Sequence, residues 1–476
     1  MRPLTLEEVV AAMHGRLLGG VSIPTVTAVS TDSRTILPGA LFFAITGPRH
    51  DGHDYLNAAF EGGAAAAVVR DATRVDPRYR ESGRVILVGD PTEALGRLAA
   101  WYRRQFAATV IAVAGSNGKT TTKDLIFAVL SRRRRGRAAP ASHNNHIGVP
   151  LTLLAVEPSD EFVVVEIGTN HPGEVAALGR LAQPDMVVVT SIGEEHLEFF
   201  GDLESVAAEE FSVLATLRGR GFAAVSEQAA GYLPGEARDQ CPILVYGFGE
   251  EAALRATQVR TDGFGQRFRV NGRFDYYLPA PGLHNVCNAL AAIAVGTRMR
   301  LDHAEMAEAL RGARLPAMRM DREQVGSVTL INDAYNANPS SVRAALEVMN
   351  HLPAAGRKVL ILGDMRELGD RALSCHQAIG REAGKSAAQV IVTVGAFARV
   401  LADGATATAD TTKRIYWFPT VEAAAEKVGR VVEAGDVVLL KASRGVQLER
   451  LLEPLRQAAE AATIAAACKP GGVGGR

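Results

Sequence analysis

Residues 109–130, TVIAVAGSNGKTTTKDLIFAVL, form the most informative stretch of this 476-residue chain. The apolar run TVIAVA predicts a buried strand, and the segment TKDLIFAVL predicts a helix. The heptapeptide GSNGKTT lies between them. Strand, glycine turn and helix N-terminus together cradle phosphates, because glycines let backbone N–H groups point at an anion and the helix start adds a positive dipole end. We therefore predict a phosphate loop made of Gly115, Ser116, Asn117, Gly118, Lys119, Thr120 and Thr121.

Two side chains of this loop suit a nucleotide. Lys119 would reach the terminal phosphates, and Thr120 would offer its hydroxyl to Mg²⁺. The full pattern G-x-x-x-x-G-K-[ST] also requires a glycine at position 113, where this chain has Val113. The loop is therefore a shortened form, G-x-x-G-K-T. An ordinary glycine turn is the alternative, and the Lys-Thr-Thr sequence after a buried-type strand argues against it.

Composition restricts the class of protein. Length predicts about three domains, and a formal net charge of zero gives no bulk electrostatic reason to bind nucleic acid or acidic lipid. The four cysteines are far apart, which argues against a disulfide framework or a zinc site. We find neither a signal peptide nor a run of about 18 apolar residues. We therefore expect a soluble, cytoplasmic monomer that binds no nucleic acid and enters no membrane.

The arginine run RRRRGR (132–137) is the one feature of the sequence that suggests nucleic-acid binding. It could be a nucleic-acid patch. It also follows the helix after the phosphate loop, and arginines at a helix C-terminus are favoured by the helix dipole. We interpret it as a solvated helix end.

Alternating strands and helices predict an α/β fold with three domains. Residues 1–90 form a small α/β unit, in which we expect a helix over 55–69 (YLNAAFEGGAAAAVV). Residues 91–313 form the central domain and begin with a connector helix at 91–106. Its apolar runs FVVVEIG and DMVVVTSIG are typical of parallel strands buried on both faces. A third α/β block covers 314–460, and we expect 461–476 to be a disordered tail.

Polar side chains near the expected strand and helix ends are further candidates. Glu166 closes a strand, where it would face the ligand crevice of a parallel sheet and could hold Mg²⁺. Asn144 and Asn145 in HNNHIGVP could hydrogen-bond a substrate carboxylate or phosphate, although a plain turn has the same pattern. Asn285 in GLHNVCNALAA could contact adenine or cap its helix.

Eight motifs, in this order, resemble those of the Mur ligase family, which builds the peptide stem of peptidoglycan: GSNGKTT, HNNHIGVP, VEIGTN, EEHLEFFG, GLHNVCNALAA, DAYNANPSS, GDMRELG and KASRG. The resemblance covers nearly the whole chain. Residues 30–55 resemble the UDP-binding N-terminal domain of some members. The resemblance implies an N-terminal UDP-sugar domain, a central parallel-sheet P-loop ATPase-like domain and a C-terminal Rossmann-like ligase domain.

The resemblance also implies an activity. ATP would phosphorylate the terminal carboxylate of UDP-MurNAc-tripeptide, and the amine of an acceptor would attack the acyl phosphate to give an amide, ADP and phosphate. DAYNANPSS and GDMRELG are similar to those of members whose acceptor is D-Ala-D-Ala. A different amino-acid acceptor, as in folylpolyglutamate-type ligases, is one alternative, and a non-catalytic nucleotide-binding protein is another.

Residue roles implied by the resemblance fall into three groups. The catalytic group is Lys119, Glu166 and His196, and the magnesium ligands are Thr120, Glu166 and His196. Nucleotide contacts outside the phosphate loop are Asn285, Arg319 and Asp333. Substrate contacts are Thr31, Asp32, Ser33 and Arg34 for UDP, Asn144 and Asn145 for the reacting end, and Tyr335, Asn336 and Asn338 on the D-Ala-D-Ala side.

One position departs from the family. Relatives carry a carbamoylated lysine in the helix after the histidine loop, where its carbamate positions a second magnesium. This chain has Glu210, or Glu209, at that place, and no lysine between Lys123 and Lys358. A glutamate needs no CO₂ but loses roughly 4 Å of reach, a gap that a water could bridge. The alternative is that Glu210 is a solvated helix residue.

Overall fold

The computed structural model describes residues 1–20, 25–219 and 221–467. Three sheets of five, nine and six strands follow one another along the chain, and β1 and β3 form a separate two-stranded pair. This confirms the α/β class with three domains. Each sheet lies inside one of the predicted ranges, and the boundaries themselves stay predictions. Among the described residues, none of the helices combines the length and apolarity that crossing a bilayer requires.

The N-terminal sheet has the order β2-β7-β6-β5-β4, and its strands are parallel except for β2. The strands of this part are β1 (Leu4–Thr5), β2 (Arg16–Leu18), β3 (Thr25–Val26), β4 (Ala28–Ser30), β5 (Ala40–Phe43), β6 (Ala66–Val69) and β7 (Val85–Leu87). The helices are α1 (Leu6–Met13), α2 (Leu56–Glu61) and α3 (Pro77–Arg80).

The helix expected over 55–69 is wrong in its second half. Helix α2 ends at Glu61, and the chain turns through Gly62 and Gly63, the latter at a φ of +98°. Residues 66–69, AAVV, then form β6 in the middle of the sheet, where all four are buried. A strand buried on both faces shows no alternation of apolar and polar residues, so periodicity cannot distinguish it from a buried helix.

The central sheet has the order β16-β15-β14-β13-β12-β11-β8-β10-β9. Its seven strands from β14 to β9 in this order, including β8, run parallel. The strands are β8 (Thr109–Ala114), β9 (Gly136–Ala138), β10 (Phe162–Glu166), β11 (Met186–Val189), β12 (Phe222–Ser226), β13 (Ile243–Gly247), β14 (Leu254–Asp262), β15 (Gly265–Val270) and β16 (Phe274–Leu278). The helices are α4 (Pro91–Arg103), α5 (Lys119–Leu130), α6 (Gly148–Leu154), α7 (Glu174–Ala182), α8 (Leu197–Phe200), α9 (Leu203–Phe211), α10 (Glu227–Ala230), α11 (Ala237–Gln240), α12 (Leu283–Arg298) and α13 (His303–Arg311).

The connector helix α4 is fastened to the central domain. Asp90 caps its start, and the buried Arg103 at its end lies 2.8 Å from the Asp185 carboxylate. The arginine run at 132–137 is also anchored, because its side chains pair with acidic residues. Arg132 contacts Glu308 at 2.7 Å, and the rest of the run pairs with further carboxylates.

The C-terminal sheet has the order β17-β18-β22-β19-β20-β21 and is parallel except for β17. The strands are β17 (Asp321–Val325), β18 (Val328–Asp333), β19 (Lys358–Gly363), β20 (Val390–Val394), β21 (Arg414–Phe418) and β22 (Val437–Lys441). The helices are α14 (Pro339–His351), α15 (Ala372–Lys385), α16 (Ala398–Thr406), α17 (Val421–Ala425) and α18 (Leu452–Ala467).

The expected disordered tail at 461–476 is wrong for its first seven residues, since α18 continues through 461–467. This segment, AATIAAA, consists mostly of alanine, the strongest helix former. Thr463 also accepts a hydrogen bond from the Ser327 N–H at 3.0 Å, which attaches the helix to the sheet. Residues 468–476 lie outside the described part of the chain.

Candidate active site

A cavity of about 830 Å³ lies where the carboxyl ends of the central strands face the C-terminal domain. Loops after β8, β9, β10 and β11 form one wall, and the ends of β18 and β22 with the start of α14 form the other. Ligands of parallel α/β sheets bind in such a crevice. The phosphate loop lies inside it.

Two glycines give the phosphate loop its shape. Gly115 has a φ of +114° and Gly118 a φ of +85°, a backbone region that other residues avoid. A Cβ atom at Gly115 would clash with the Thr190 hydroxyl, and one at Gly118 would clash with the Asn288 side chain. Helix α5 begins at Lys119, so the N–H groups of its first turn lack intrahelical partners and are available to an anion.

Lys119 lies among buried carboxylates. Its Nζ is 3.6 Å from Glu195 Oε2 and 4.0 Å from Glu210 Oε1, and it donates to the Gly115 and Ser116 carbonyls. Burial lowers the pKa of Lys119, but the neighbouring carboxylates Glu195, Glu210 and Glu166 together outweigh it and raise the pKa overall. The lysine is therefore a stable cation at the start of α5.

Glu195 is a site residue that the sequence analysis missed. Its side chain is only 7% exposed, and its Oε1 is buried without a hydrogen-bond partner. Burial raises the pKa of Glu195 well above its usual value, although Lys119 opposes the shift. The only sequence signal was its position beside His196, and a glutamate in a loop after a strand is usually solvated.

Glu210 lies against the phosphate loop, and the solvated alternative is wrong. It is completely buried on α9, and its Oε2 accepts the Gly115 N–H at 2.6 Å. Its Oε1 is buried without a hydrogen-bond partner. Glu209 has a different task, because its carboxylate accepts the N–H groups of Gly173 and Val175 at 2.8 Å and fastens the start of α7.

Glu166 ends β10 with its carboxylate in the cavity. Oε1 accepts the side-chain amide of Asn144 at 2.9 Å, whereas Oε2 is buried without a partner. The neighbouring Asn145 also lines the cavity, but its Oδ1 accepts the N–H groups of Ile147 and Gly148 at the start of α6. The plain-turn interpretation therefore suits Asn145 better than Asn144.

The C-terminal domain contacts the phosphate loop directly. Arg319 donates to the Thr120 hydroxyl at 3.0 Å, and its guanidinium lies 4.3 Å from the centre of the Tyr335 ring. The Asn117 side chain donates to Ser340 at 2.9 Å and accepts from Asn338 at 3.0 Å. Bonds between residues so distant in the chain were beyond the sequence analysis.

A charged pair from the C-terminal sheet completes that wall. Asp333 ends β18, and its carboxylate lies 2.7 Å from the Lys441 ammonium at the end of β22.

Asn285 approaches from α12, but its amide is engaged with the Pro281 carbonyl at 2.8 Å. His196 lies in the loop after β11, with Nδ1 2.6 Å from Glu367 Oε2 of the C-terminal domain.

The structure thus brings most of the predicted residues together. Those that line the cavity are Ser116, Asn117, Gly118, Lys119, Thr121, Asn144, Asn145, Glu166, His196, Asn285, Arg319, Asp333, Tyr335 and Asn336. Four other predicted residues lie behind the lining, namely Gly115, Thr120, Glu210 and Asn338, and the Asn338 side chain caps α14 and bonds Asn117. The segment Thr31 to Arg34 lies in the N-terminal domain, away from this cavity, where Asp32 caps a short turn.

Within the described residues, no three histidine, cysteine or acidic side chains are grouped closely enough to hold a metal ion by themselves. The predicted ligands Thr120, Glu166, His196 and Glu210 therefore form no ready-made cage. Mg²⁺ rarely needs one, because it commonly binds one or two carboxylates together with waters and substrate phosphates.

Comparison with known proteins gives matches along most of the chain. Residues 25–103 match the catalytic domain of the Mur ligase family, 113–296 the Mur ligase middle domain, and 318–444 the Mur ligase glutamate ligase domain. The UDP-N-acetylmuramoyl-tripeptide–D-alanyl-D-alanine ligase of Bacillus subtilis is 36% identical, and the alignment covers 90% of this chain and 92% of that protein.

Solved structures are similar over a comparable length. A crystal structure of MurF from Acinetobacter baumannii has a TM-score of 0.86 and 28% identity, with 96% of this chain and 99% of that chain covered. MurF from Thermotoga maritima in complex with ADP has a TM-score of 0.78 and 25% identity, with 92% and 98% covered.

Proposed function

This chain belongs to the Mur ligase family, and we propose that it is an ATP-dependent ligase that joins D-alanyl-D-alanine to UDP-N-acetylmuramoyl-tripeptide in cytoplasmic peptidoglycan precursor synthesis. The observation that carries this proposal is the shared cavity. The phosphate loop forms one wall and the C-terminal residues Asp333, Tyr335 and Lys441 form the other. A nucleotide and an acceptor amine could thus meet on one carboxylate. The 36% identical relative bears the name of this activity.

The proposed reaction has two steps. The terminal carboxylate of the tripeptide attacks the γ-phosphorus of ATP, the bond to the β-phosphate oxygen breaks, and ADP leaves with an acyl phosphate formed. The amine of D-alanyl-D-alanine then attacks the acyl carbon, the bond to phosphate breaks, and an amide and phosphate result. The amine loses its proton to solvent. Several anions meet in this sequence, so fixed cations and alignment supply most of the rate enhancement.

The chain's own residues have matching tasks. Lys119 and the first turn of α5 neutralise the transferring phosphoryl group, and Arg319 adds a second positive charge beside Thr120. Asn285 on α12 would contact the base of the nucleotide, for which its amide would have to leave the Pro281 carbonyl, and Asp333 would contact the nucleotide from the C-terminal side. Tyr335 and Asn336 lie on the acceptor side of the cavity. In the N-terminal domain, outside the cavity, the segment Thr31, Asp32, Ser33 and Arg34 would bind UDP.

The site fits a magnesium ion bound together with ATP. Glu166 Oε2 is a buried carboxylate oxygen without a partner, and this is the donor that Mg²⁺ prefers. Thr120 and His196 are the further candidates, and Glu210 would act through a water. When bound, the ion would neutralise phosphate charge and orient the phosphates.

Glu166→Gln tests the magnesium site. The amide keeps the size of the side chain but loses the charge, so we expect the magnesium concentration for half-maximal activity to rise about tenfold. The measurement is a magnesium titration of phosphate release at saturating ATP. The control is Glu250→Gln, which makes the same change at an exposed position. Asp185→Asn is not suitable, because it would break the ion pair with Arg103. An unchanged titration for Glu166→Gln would remove Glu166 from the metal site.

Two alternatives are less well supported. A folylpolyglutamate synthase has a similar fold, but at 16% sequence identity this similarity supports a shared fold and not a shared acceptor. A non-catalytic nucleotide-binding protein would have no use for Glu166 and Glu195, each of which has a buried oxygen without a partner. Such oxygens cost free energy, so their presence favours chemistry.

Phosphate release with different acceptors decides among these functions. We expect phosphate from ATP only when UDP-MurNAc-tripeptide and D-alanyl-D-alanine are both present. The control reactions replace the dipeptide with L-glutamate or with free diaminopimelate, or omit it. Equal turnover with L-glutamate would contradict the assignment, and ATP binding without any turnover would favour the non-catalytic alternative.

A further inference from the structure

The polar groups of Asn117, in the middle of the phosphate loop, are engaged with other protein groups. Its N–H donates to the Ser191 hydroxyl at 3.0 Å, and its carbonyl oxygen accepts the Thr190 hydroxyl at 2.6 Å. Both partners directly follow β11, so the end of that strand fixes the backbone of the loop at this residue. The side-chain amide uses both its nitrogen and its oxygen for the C-terminal domain. Asn117 therefore links the phosphate loop to both domains.

Three side chains form a closed ring of hydrogen bonds across the domain boundary. Asn117 Nδ2 donates to Ser340 Oγ at 2.9 Å, and Ser340 Oγ donates to Asn338 Oδ1 at 3.0 Å. Asn338 Nδ2 closes the ring by donating to Asn117 Oδ1 at 3.0 Å. Each amide thus donates once and accepts once within the ring, and the hydroxyl does the same. Because Asn117 belongs to the central domain, the ring forms only when the two domains are packed together.

On its other side, the ring holds the segment that we call the acceptor loop, residues 333–338. This loop joins β18 to α14 and carries Tyr335 and Asn336. Asn338 ends it as the cap of α14, and its Oδ1 accepts the Ser341 N–H at 2.8 Å. The Tyr335 hydroxyl is also hydrogen-bonded to Ser142 of the central domain. The acceptor loop is therefore fastened to the central domain at two points.

A glycine leaves the space that Ser340 occupies. A Cβ atom at Gly193 would lie 2.6 Å from Ser340 Oγ and 3.3 Å from Asn117 Nδ2. Gly193 is not among the glycines with a positive φ, so it supplies room and not an unusual backbone conformation. Its N–H donates to the Ser116 hydroxyl at 2.8 Å, which attaches it to the phosphate loop. The central domain thus provides a fitted seat for the start of α14.

We propose that Asn117 and Ser340 are positioning residues, which align the acceptor loop with the phosphate loop through this ring. The nucleotide binds on one side of the ring and the acceptor on the other, so the ring helps to set the separation of the reacting groups. The consequence for acceptor binding rests on the proposed function, whereas the effect of the ring on α14 does not.

Hydrogen exchange at the start of α14 tests the ring without any turnover. The N–H groups of Ser341 and Val342 are bonded to Asn338, so they report on the position of the cap. We expect them to exchange about threefold faster in Asn117→Ala than in the wild type, although the substitution lies in another domain. The readout is mass spectrometry of peptides that cover 338–345, and the buried strand β20 serves as the internal reference. Equal exchange of these peptides in both proteins would overturn the proposal.

Kinetics supply the second readout. Asn117→Ala and Ser340→Ala each remove two of the three bonds of the ring. We expect each substitution to raise KM for D-alanyl-D-alanine about fivefold, and Ser340→Ala to leave KM for ATP unchanged. Because both act on one ring, the double variant should be raised less than tenfold, whereas independent effects would multiply to about 25-fold.

Ser159→Ala is the matched control, since it makes the same change at an exposed position and should alter neither readout. Thermal melting verifies that each variant is folded. An unchanged KM for the dipeptide in Ser340→Ala, or effects that multiply in the double variant, would overturn the proposal. If the dipeptide is not the acceptor, no variant turns over with it, but the exchange result stands. The failure of the proposed function is therefore distinguishable from the failure of the ring.

Discussion

Lys119→Ala is expected to lower kcat by about 10²–10³-fold, because it removes the phosphate-loop cation that would neutralise the transferring phosphoryl group. In the structure its ammonium lies within 4.0 Å of two buried carboxylates and beside the loop carbonyls. A nucleotide would replace those contacts with its phosphates. The measurement is steady-state phosphate release with both substrates saturating, and Lys385→Ala on the exposed side of α15 is the matched control.

The same substitution also affects stability. An exposed loop lysine would contribute little, but Lys119 is only 13% exposed and compensates the charges of Glu195 and Glu210. Removing one partner of a buried pair costs about 3 kcal/mol. We therefore expect a lower melting temperature for Lys119→Ala, and activity must be compared at a temperature at which both proteins are folded. A folded variant within a few-fold of the wild-type kcat would show that this loop is not the ATP site.

Much of the fold could be predicted from the sequence because its signals are local. The family resemblance is confirmed, and so are the three α/β domains. The phosphate loop could be recognised because two glycines, a lysine and the start of a helix lie within five residues. The strand β6 could not be recognised, because AAVV is buried on both faces and lacks alternation. The last turns of α18 were missed because glycine-rich residues follow them.

Less of the site could be predicted because it is assembled from distant segments. Glu166 shows in the sequence as a carboxylate at the end of a strand. Glu195 does not, since only burial distinguishes it from a solvated glutamate. The bond between Asn338 and Asn117 depends on the packing of one domain on another, and the substrate contact expected of Asn338 stays a prediction. Contacts of this kind leave no pattern in a single sequence.

The choice between Glu209 and Glu210 shows the same limit. The sequence offers two adjacent glutamates at the position of the family's carbamoyl-lysine. The structure separates them, because adjacent helix positions face different neighbours. Glu209 fastens the start of α7, and Glu210 contacts the phosphate loop. We propose that Glu210 supplies the carboxylate that relatives obtain from CO₂.

Glu210→Ala is expected to lower kcat by about 10²-fold and to raise the magnesium requirement, because it removes the counter-charge of Lys119 and the acceptor of the Gly115 N–H. Since the wild-type carboxylate needs no carbamate, added bicarbonate should not change wild-type activity. Glu210→Lys tests the converse, a lysine that must form a carbamate before it can supply a carboxylate. Its ammonium would repel Lys119 until CO₂ converts it to a carbamate, so we expect an inactive protein that bicarbonate partly restores.

Glu209→Gln is the matched control for this series. It should lower the melting temperature, because its carboxylate fastens the start of α7, and it should change kcat little. Phosphate release across magnesium and bicarbonate titrations measures all three variants and the wild type. If Glu210→Ala followed the wild-type magnesium curve, the buried carboxylate would have no part in the reaction. If bicarbonate stimulated the wild type, a carbamate would have to form elsewhere, and Glu210 would not be its replacement.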